Sequence, residues 1–266
     1  MSARDGAVAV DSHAHILHLP PPLTPEAALE EARNAGVVAV LNIGDGEEDN
    51  QAGIDLTERI PGLRTTIGWH PHYASTPLSA ERRRLLRRQA EHPSVVAVGE
   101  IGLDYHFTDR HRVPAVEQQR ALREMLAFGQ EQGKPVVLHT REAFLDLFRI
   151  LDEFPGLEGV FHCFSGNAAM ASEAIARGFH VSFAATVTYP GAHSVQGAAC
   201  VVPLDRMLVE TDAPFLPPQS RRGRPNAPVF LWETIERIAQ LCGISSAGVG
   251  TAACRNAIRL FGLPVD

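Results

Sequence analysis

The sequence predicts an α/β fold, a (β/α)8 TIM barrel that forms a single domain over residues 1–266. Eight short apolar runs, rich in β-branched residues, alternate with longer helical patterns, which is typical of a parallel sheet covered by helices. The length of 266 residues suits one such barrel, because these barrels commonly run to about 250 residues. No glycine-rich turn follows the first apolar run, as it usually would in a doubly wound open sheet.

Strands and helices alternate in order along the chain. The predicted strands lie at 7–11, 37–43, 64–69, 95–100, 135–139, 159–162, 179–183 and 207–211. The predicted helices lie at 25–35, 48–60, 79–91, 116–132, 142–153, 168–177, 194–202, 228–240 and 246–261. Residue types at the helix ends support this order. Thr24 and Pro25 are a helix cap and a first-turn proline, and Gly133 and Gly178 each end a helix.

The charge balance excludes one class of nucleic-acid-binding protein. Lys and Arg number 24 and Asp and Glu number 31, which gives a formal net charge of −7. A protein that coats nucleic acid along a basic face has the opposite balance. An enzyme that binds one or two phosphates with a few arginines and metal ions is compatible with this composition.

Cysteine usage and hydropathy predict a cytoplasmic protein. Cys163, Cys200, Cys242 and Cys254 show no C-x-x-C spacing, so the sequence indicates neither a disulfide framework nor a zinc ribbon. The first residues carry no apolar signal core, and no stretch approaches the ~18 apolar residues of a membrane span. We therefore expect no membrane association and no obligate protein partner.

Ionisable side chains recur where the predicted strands end. They are His13, His15, His70, His72, Glu100, His139, His162 and Asp212. The carboxyl ends of parallel strands meet at one face of a barrel, so these side chains should converge. A single histidine of this kind is more often a hydrogen-bonded core or loop residue. A whole group of them is costly to bury unpaired, whereas divalent cations take imidazoles and carboxylates as ligands.

The number of ligands favours two divalent metal ions, for which zinc, manganese and magnesium are all compatible. We expect the first ion to be held by His13, His15 and Asp212. We expect the second to be held by His139 and His162, with Glu100 bridging the two. A carbamylated lysine bridges the metals of many barrel hydrolases. The only lysine here, Lys134, begins the fifth strand at the opposite face.

Seven short segments carry the most distinctive residues of the chain. They read Asp-Ser-His-Ala-His at 11–15, Gly-Trp-His-Pro-His at 68–72, Val-Gly-Glu-Ile-Gly-Leu-Asp-Tyr at 98–105, Pro-Val-Val-Leu-His-Thr-Arg at 135–141, Gly-Val-Phe-His-Cys-Phe-Ser-Gly at 159–166, Val-Glu-Thr-Asp-Ala-Pro at 209–214 and Asn-Ala-Ile-Arg-Leu-Phe at 256–261. Together they resemble the TatD-type metal-dependent deoxyribonucleases of the amidohydrolase superfamily, over nearly the whole chain. The resemblance implies a (β/α)8 barrel and the same six metal ligands. It also implies hydrolysis of DNA phosphodiesters, often from a 3′ end, with magnesium, manganese or zinc. Some relatives act on D-aminoacyl-tRNA instead.

The chain departs from the family pattern at two places. Residues 222–228 read Arg-Gly-Arg-Pro-Asn-Ala-Pro, where the family commonly has Arg-Gly-Lys-x-Asn-Glu-Pro. Ala227 therefore removes a carboxylate, and Pro225 stiffens the loop. Ala184 and Ala185 stand where the family often has a Ser-Gly pair. Both places are expected to border the substrate, so the resemblance constrains the substrate less than the metal chemistry.

These observations predict a metal-dependent phosphodiester hydrolase, a deoxyribonuclease that acts from the 3′ end of DNA through a hydroxide activated by two metal ions. Glu100 and Asp212 are the expected catalytic residues, with Asp212 orienting or deprotonating the attacking water. Arg141, His70 and His72 are the expected substrate-binding residues. A planar guanidinium suits a phosphate, and the two histidines could contact the same group.

Other side chains near these segments are open to two interpretations. Arg141 could instead pair with Glu142 or Asp146. Tyr105 and His106 could stack on a nucleobase, although packing in the core is the alternative for Tyr105. Two arginine groups differ in their expected roles. Arg221, Arg222 and Arg224 could meet a DNA backbone, whereas the arginines of 82–88 are expected to form a solvated helix face paired with Glu81 and Glu91.

Two other classes of function compete with the nuclease. A small-molecule hydrolase of the same superfamily, cleaving an amide or a lactone, predicts a closed apolar pocket and no role for Arg141 or for residues 221–224. A D-aminoacyl-tRNA deacylase would use the same metal centre. A metal-binding scaffold without catalysis is disfavoured, because all six candidate ligands are present.

Overall fold

The computed structural model describes residues 6–106 and 113–264, and it confirms the predicted barrel. The strands are β1 (Ala9–Ala14), β2 (Val37–Asn42), β3 (Arg64–Ile67), β4 (Val95–Asp104), β5 (Val136–Arg141), β6 (Gly159–Phe161), β7 (His180–Phe183) and β8 (Met207–Val209). They form one eight-stranded sheet in chain order, and each neighbouring pair is parallel. His111, which the sequence leaves as a structural or surface residue, lies outside the described residues.

Hydrogen bonds between the two end strands complete the barrel. The backbone N–H of Asp212 donates to the carbonyl of His13 at 2.9 Å, and that of His15 donates to the carbonyl of Ala213 at 2.7 Å. The Ser12 hydroxyl also donates to the carbonyl of Val209 at 3.0 Å. The residues just after β8 are therefore held against the end of β1, where polar side chains were predicted to meet.

A helix follows each strand, and one more ends the described chain. The helices are α1 (Pro25–Asn34), α2 (Glu47–Arg59), α3 (Ala80–Ala90), α4 (Ala115–Gln132), α5 (Phe144–Leu151), α6 (Ala168–Ala176), α7 (His193–Val201), α8 (Leu231–Cys242) and α9 (Ser246–Phe261). Single 3-10 turns lie at Ile16–His18, Pro71–Tyr73, Ala185–Thr188, Leu204–Arg206, Gln219–Arg221 and Pro228–Phe230. Across residues 6–106 and 113–264, no helix has both the length and the apolar character needed to cross a membrane.

The helix ends follow the local signals in the sequence. The Thr24 hydroxyl accepts the backbone N–H of Ala27 at 3.3 Å, and Pro25 is the first residue of α1. Gly133 ends α4 with a φ of 60°, a left-handed conformation that glycine adopts without a Cβ clash. Helix α5 begins two residues later than predicted, because Glu142 has a φ of 57° and cannot start the helix.

Three strands extend beyond their predicted carboxyl ends. Strand β1 continues to Ala14, β4 to Asp104 and β5 to Arg141. The extra residues of β4 and β5 still pair with each other, Gly102 with His139 and Asp104 with Arg141. In these three strands the backbone ladder continues past the apolar run that marks the strand in the sequence, so His13, Asp104 and Arg141 belong to strands rather than to loops.

Helix α9 covers the end of the barrel where the strands begin. Its apolar face shares a buried cluster with side chains from near the amino ends of β1, β4, β5, β6 and β8 and from the end of β2. The cluster contains Val10, Leu41, Ile43, Ala97, Val137, Val160, Leu208, Cys254, Ala257, Leu260, Phe261 and Leu263. The side chain of Asn256 fastens the helix by donating to the carbonyls of Met207 and Leu204 at 2.8 and 2.7 Å. The polar residues lie at the opposite end of the barrel, where the strands finish.

The arginine-rich helix α3 is exposed, as predicted, but its charged partners are different. Arg82, Arg83 and Arg87 pair with glutamates of α2 and α4 at N–O distances of 2.9–3.0 Å. The predicted partners were Glu81 and Glu91 on the same helix. Glutamates on the neighbouring helices α2 and α4 lie level with these arginines. The residue pattern of α3 alone cannot predict such contacts between helices.

Candidate metal centre

All six side chains predicted to bind metal meet at the carboxyl ends of the strands. His13 is in β1, Glu100 in β4 and His139 in β5, while His15, His162 and Asp212 follow the ends of β1, β6 and β8. The group is buried apart from the partly exposed His139, and Glu100 at its centre is 3% exposed. The convergence expected from strand order is therefore present in the structure.

One carboxylate oxygen of Glu100 belongs to a first set of four atoms. Its Oε2 lies 3.4 Å from His13 Nε2 and 3.6 Å from His15 Nε2, and these two nitrogens are 3.3 Å apart. Asp212 Oδ1 lies 3.7 and 3.6 Å from the same nitrogens. Ligands placed tetrahedrally at about 2.05 Å from a metal ion lie about 3.3 Å from one another. The four atoms therefore fit the ligand shell of one small divalent cation.

The other oxygen of Glu100 belongs to a second set. Its Oε1 lies 2.9 Å from His139 Nδ1 and 2.8 Å from His162 Nε2, and the two nitrogens are 3.3 Å apart. His70 Nε2 is 3.6 Å from the same oxygen. Glu100 thus presents one oxygen to each set, which is the geometry of a bridging ligand.

Within the described residues, three overlapping sets of side chains place possible metal ligands within 4.8 Å of one another. They are His13 with His15 and Glu100, His13 with His162 and Asp212, and His70 with Glu100 and His139. The predicted ligands are distributed over all three sets. His70, predicted as a substrate contact, shares the third set and is therefore a possible ligand as well.

Two carboxylates lie close to the ring nitrogens of histidines in the cluster. Asp104 Oδ2 lies 3.3 Å from His139 Nε2 and 3.2 Å from His72 Nε2. Glu210 Oε1 lies 3.3 Å from His162 Nδ1. Histidines that bind a metal through one ring nitrogen typically give the other N–H to a carboxylate, which fixes the ring and its tautomer. Both acids belong to the recognised segments, yet their contacts with the histidines were not predicted.

Asp104 and Glu210 also make the backbone contacts expected of bracing residues. Asp104 Oδ1 accepts the N–H of His106 at 2.9 Å and so also holds the start of the loop after β4. Glu210 Oε1 accepts the N–H of Cys163 at 2.6 Å, next to the histidine that it orients. The signal that could have found both acids is their spacing, four residues after Glu100 and two residues before Asp212.

The electrostatics of the metal-free centre favour a charged Glu100 beside a protonated His162 and a neutral His13. Burial lowers the pKa of His13, and the adjacent His162 adds to this effect. The rings of His13 and His162 stack with centroids 3.8 Å apart, so the two cannot both be positively charged. Burial alone would raise the pKa of Glu100, but His162, His13 and His139 outweigh it and hold that pKa well below its ordinary value. Burial likewise opposes the charge on His162, but its contact with Glu100 raises the pKa of His162 well above normal.

Close backbone contacts position the strands that carry Glu100 and His139. A Cβ on Gly102 would lie 2.0 Å from the carbonyl oxygen of His139, and the φ of Gly102 is 153°. A Cβ on Gly68 would lie 2.2 Å from the backbone nitrogen of Glu100. Only glycine allows β3, β4 and β5 to approach closely enough for these side chains to meet.

Five of the six predicted metal ligands line a cavity of about 630 Å³, whereas His13 is fully buried and does not line it. The three predicted substrate-binding residues, Arg141, His70 and His72, all line it. Glu142 pairs with His106 and Asp146 with Arg149, so neither makes the predicted alternative ion pair with Arg141. Two exposed aromatic side chains, Tyr73 and Phe215, also line the cavity and were not predicted as site residues.

None of the five other residues considered for substrate contact lines this cavity, and four of them, all except Arg224, have the following contacts within the protein. The Tyr105 hydroxyl donates to Asp146 at 3.0 Å, and His106 lies 2.9 Å from Glu142. In the loop after β8, the guanidinium of Arg221 pairs with Glu233 at 2.7 Å and stacks on Phe230, while that of Arg222 lies 4.8 Å from the centre of the Tyr189 ring. One ion pair and two separate guanidinium–ring contacts therefore hold this loop against the rest of the protein.

Comparison with known proteins identifies the family. The model of the TatD related DNase family matches residues 10–262. The chain belongs to this family. It is 32% identical over 254 residues to the "uncharacterized metal-dependent hydrolase YabD" of Bacillus subtilis, covering 94% of this chain and 98% of that protein. It is 36% identical over 246 residues to the "3'-5' ssDNA/RNA exonuclease TatD" of Pantoea vagans, covering 90% and 93% of the two chains.

A solved structure supports the same assignment. The crystal structure of YJJV, a TatD homologue from Escherichia coli K12, superposes with a TM-score of 0.87 and 30% sequence identity, covering 96% of this chain and 98% of that one. The chain is thus a metal-dependent hydrolase with the TatD barrel. The resemblance found in the sequence segments is confirmed, and the histidine and carboxylate clusters are where the metal dependence of such an enzyme would originate.

Proposed function

We propose that this TatD-family hydrolase cleaves phosphodiester bonds of single-stranded DNA from the 3′ end. The observation that carries the proposal is the pair of metal-binding sets joined by Glu100 at the floor of a cavity lined by Arg141. Two cations about 3.5–4 Å apart are the usual arrangement for in-line displacement at phosphorus. The Pantoea relative, named a 3'-5' ssDNA/RNA exonuclease, supports the same substrate class.

We assign the metal ligands as strand order predicted them. His13, His15 and Asp212 would hold one divalent cation and His139 and His162 the other, with Glu100 between them. The donors are imidazole nitrogens and carboxylate oxygens, a set that suits zinc or manganese and tolerates magnesium. When bound, the two cations would lower the pKa of a water molecule and offset the charge that develops on the phosphate.

The side chains around the ligands orient the reacting groups. Asp212 Oδ1 lies 3.7 and 3.6 Å from His13 and His15, and the other oxygen of this carboxylate would orient the attacking water and take up its proton. Arg141 is exposed on the cavity wall, where its guanidinium can bind two oxygens of one phosphate. His72, held by Asp104, would donate to the same phosphate.

His70 lines the cavity and also lies close to Glu100. Burial lowers its pKa well below the ordinary value, so it is neutral and brings no positive charge to a phosphate. Its Nε2 lies 3.6 Å from Glu100 Oε1. A neutral imidazole in that position can accept a hydrogen bond, donate one, or join the ligands of the second cation.

The two exposed aromatics favour a single strand over a duplex. Tyr73 and Phe215 are 47% and 49% exposed although both line the cavity. The edge of the Phe215 ring packs on His15 with centroids 5.5 Å apart, which places it beside the first metal-binding set. Aromatic side chains stack on unpaired bases without regard to sequence. The same exposure shows that the cavity opens to solvent, unlike the closed apolar pocket expected of an amide or lactone hydrolase.

Release of nucleotides from labelled oligonucleotides tests the proposal. Metal-stripped protein is loaded with manganese, magnesium or zinc and given single-stranded DNA labelled at either end. We expect stepwise loss from the 3′ end, abolished in Glu100→Gln and retained in Glu131→Gln, which changes an exposed acid of α4. If fully loaded protein releases nothing, the nuclease proposal fails, and D-aminoacyl-tRNA and small amides become the substrates to test.

A further inference from the structure

Two cysteines that are far apart in the sequence lie side by side on neighbouring helices. Cys200 is in α7 and Cys242 is the last residue of α8, and their Sγ atoms are 2.7 Å apart. The sulfurs of a disulfide are about 2.05 Å apart, so less than about 1 Å of movement separates this pair from a bond. Neither residue lines the cavity of the metal centre. Their sequence spacing matches no cysteine motif, so the pair is a product of the fold alone.

We infer that Cys200 and Cys242 form a reversible disulfide by exchange with a small-molecule disulfide such as oxidised glutathione. The remaining cysteines are placed differently. Cys163 lines the cavity, and Cys254 is buried in α9. The inference concerns a surface remote from the catalytic chemistry and does not depend on the proposed nuclease activity.

Exposure determines which cysteine reacts first. Cys200 is exposed, whereas burial together with the neighbouring thiol raises the pKa of Cys242 to about 12. The Cys200 thiolate therefore attacks one sulfur of oxidised glutathione, forming a mixed disulfide and releasing one glutathione thiolate. Cys242 then loses its proton to solvent and attacks Cys200 Sγ, releasing the second glutathione thiolate. The protein loses two protons and two electrons, and the small disulfide is reduced to two thiols.

The bond would fasten α7 to α8. It would close a loop across residues 200–242, which restricts the unfolded chain more than the folded one. The two helices already pack against each other, so little strain is expected in the folded state. We expect the oxidised protein to melt on the order of 5–10 °C higher than the reduced one.

The test is oxidation of the full-length, folded protein in buffers of graded oxidised-to-reduced glutathione ratio. We expect two of the four thiols to disappear together in a thiol titration, and peptide mapping by mass spectrometry to find one cross-link between Cys200 and Cys242. The melting temperature should rise with the cross-link and return after dithiothreitol. Hydrolase activity should be the same in both forms.

Single substitutions keep the test falsifiable. In Cys200→Ser and Cys242→Ser the cross-link and the rise in melting temperature should vanish, while Cys254→Ala should retain both. The inference is overturned if the folded wild-type protein accumulates only a glutathione adduct on Cys200. It is also overturned if the cross-link joins other cysteines. A third contrary result would be that Cys200 and Cys242 stay reduced in the folded protein, in the same glutathione buffer that oxidises the urea-unfolded chain.

Discussion

At the residue scale, Asp104 lies where its carboxylate can orient the ring of His139, with Oδ2 3.3 Å from Nε2 of that ring. Burial alone would raise the pKa of Asp104, but hydrogen bonds with His139 and His72 hold it below its ordinary value, so Asp104 is charged. We predict that Asp104→Asn lowers the affinity for the second metal ion about 10- to 100-fold, the usual effect of removing such a partner. Calorimetric titration of the stripped protein with zinc measures the effect.

The matched control for Asp104→Asn is Asp152→Asn, which changes an exposed acid after α5. An asparagine at 104 can still accept the backbone N–H of His106, so the loop should keep its place. Unchanged zinc affinity in Asp104→Asn would show that the carboxylate does not orient His139.

Phe215 offers a second test at the same scale. Its exposed ring stands beside His15, and stacking of one base on an aromatic contributes about 1–3 kcal/mol. We predict that Phe215→Ala weakens binding of single-stranded DNA roughly 5- to 150-fold, while metal content stays the same. Phe215→Trp should restore binding. Fluorescence anisotropy with a labelled oligonucleotide and the catalytically impaired Glu100→Gln background separates binding from cleavage.

A comparable loss on replacing an exposed leucine far from the cavity would contradict the stacking role. Leu145 in α5 is 70% exposed and does not line the cavity, so Leu145→Ala is the appropriate control. If Phe215→Ala and Leu145→Ala bind DNA as the wild type does, then base stacking contributes nothing at this position.

At the scale of elements, the approach of β4 to β5 is the feature on which the centre depends. We predict that Gly102→Ala displaces the backbone at His139, because the added Cβ would lie 2.0 Å from its carbonyl oxygen. The expected result is a loss of at least about tenfold in metal-dependent activity, since a 1 Å misplacement of a catalytic group costs this much or more. Steady-state kinetics at saturating metal checks it.

The control for Gly102→Ala is a glycine with open space around it. A Cβ added to Gly197 in α7 would have no neighbouring atom within 4 Å, and alanine favours a helix over glycine. Gly197→Ala should therefore leave activity intact and raise the free energy of unfolding slightly. Wild-type activity in Gly102→Ala would mean that the two strands can separate without disturbing the ligands.

The sequence predicts the secondary-structure elements and their order, but it does not predict the contacts between distant elements. Alternating apolar runs and helix caps are local signals, so the barrel and the order of its polar strand ends were predictable. The pairing of Arg82 with an acid of α2, the support of His162 by Glu210 and the contact of Cys200 with Cys242 each join distant segments. Such contacts depend on how helices and loops pack, which no periodicity of a single segment encodes.

For the whole molecule, metal binding and stability are linked. Without metal, the ion pair between Glu100 and protonated His162 stabilises the folded state, in keeping with the raised pKa of His162. A group whose pKa is raised on folding stabilises the protein below its unfolded pKa and loses that contribution as pH rises through its folded pKa. The metal-free protein therefore loses this stabilisation as the pH rises. Metal ions bind more tightly over the same range, because fewer protons compete with them for the ligand atoms.

We therefore predict that zinc or manganese raises the melting temperature, and that the rise grows from pH 6 to pH 8. A cation at a hundred times its dissociation constant adds about 2.7 kcal/mol per site, which corresponds to roughly 5–10 °C for a chain of this size. Differential scanning calorimetry of stripped and reloaded protein measures the shift. Glu100→Gln removes the shared ligand and should lose most of it at every pH. The linkage would be contradicted if elemental analysis found two ions per chain and the melting temperature were still independent of metal. An ion bound in this buried centre cannot bind the unfolded chain equally well, so it must stabilise the folded state.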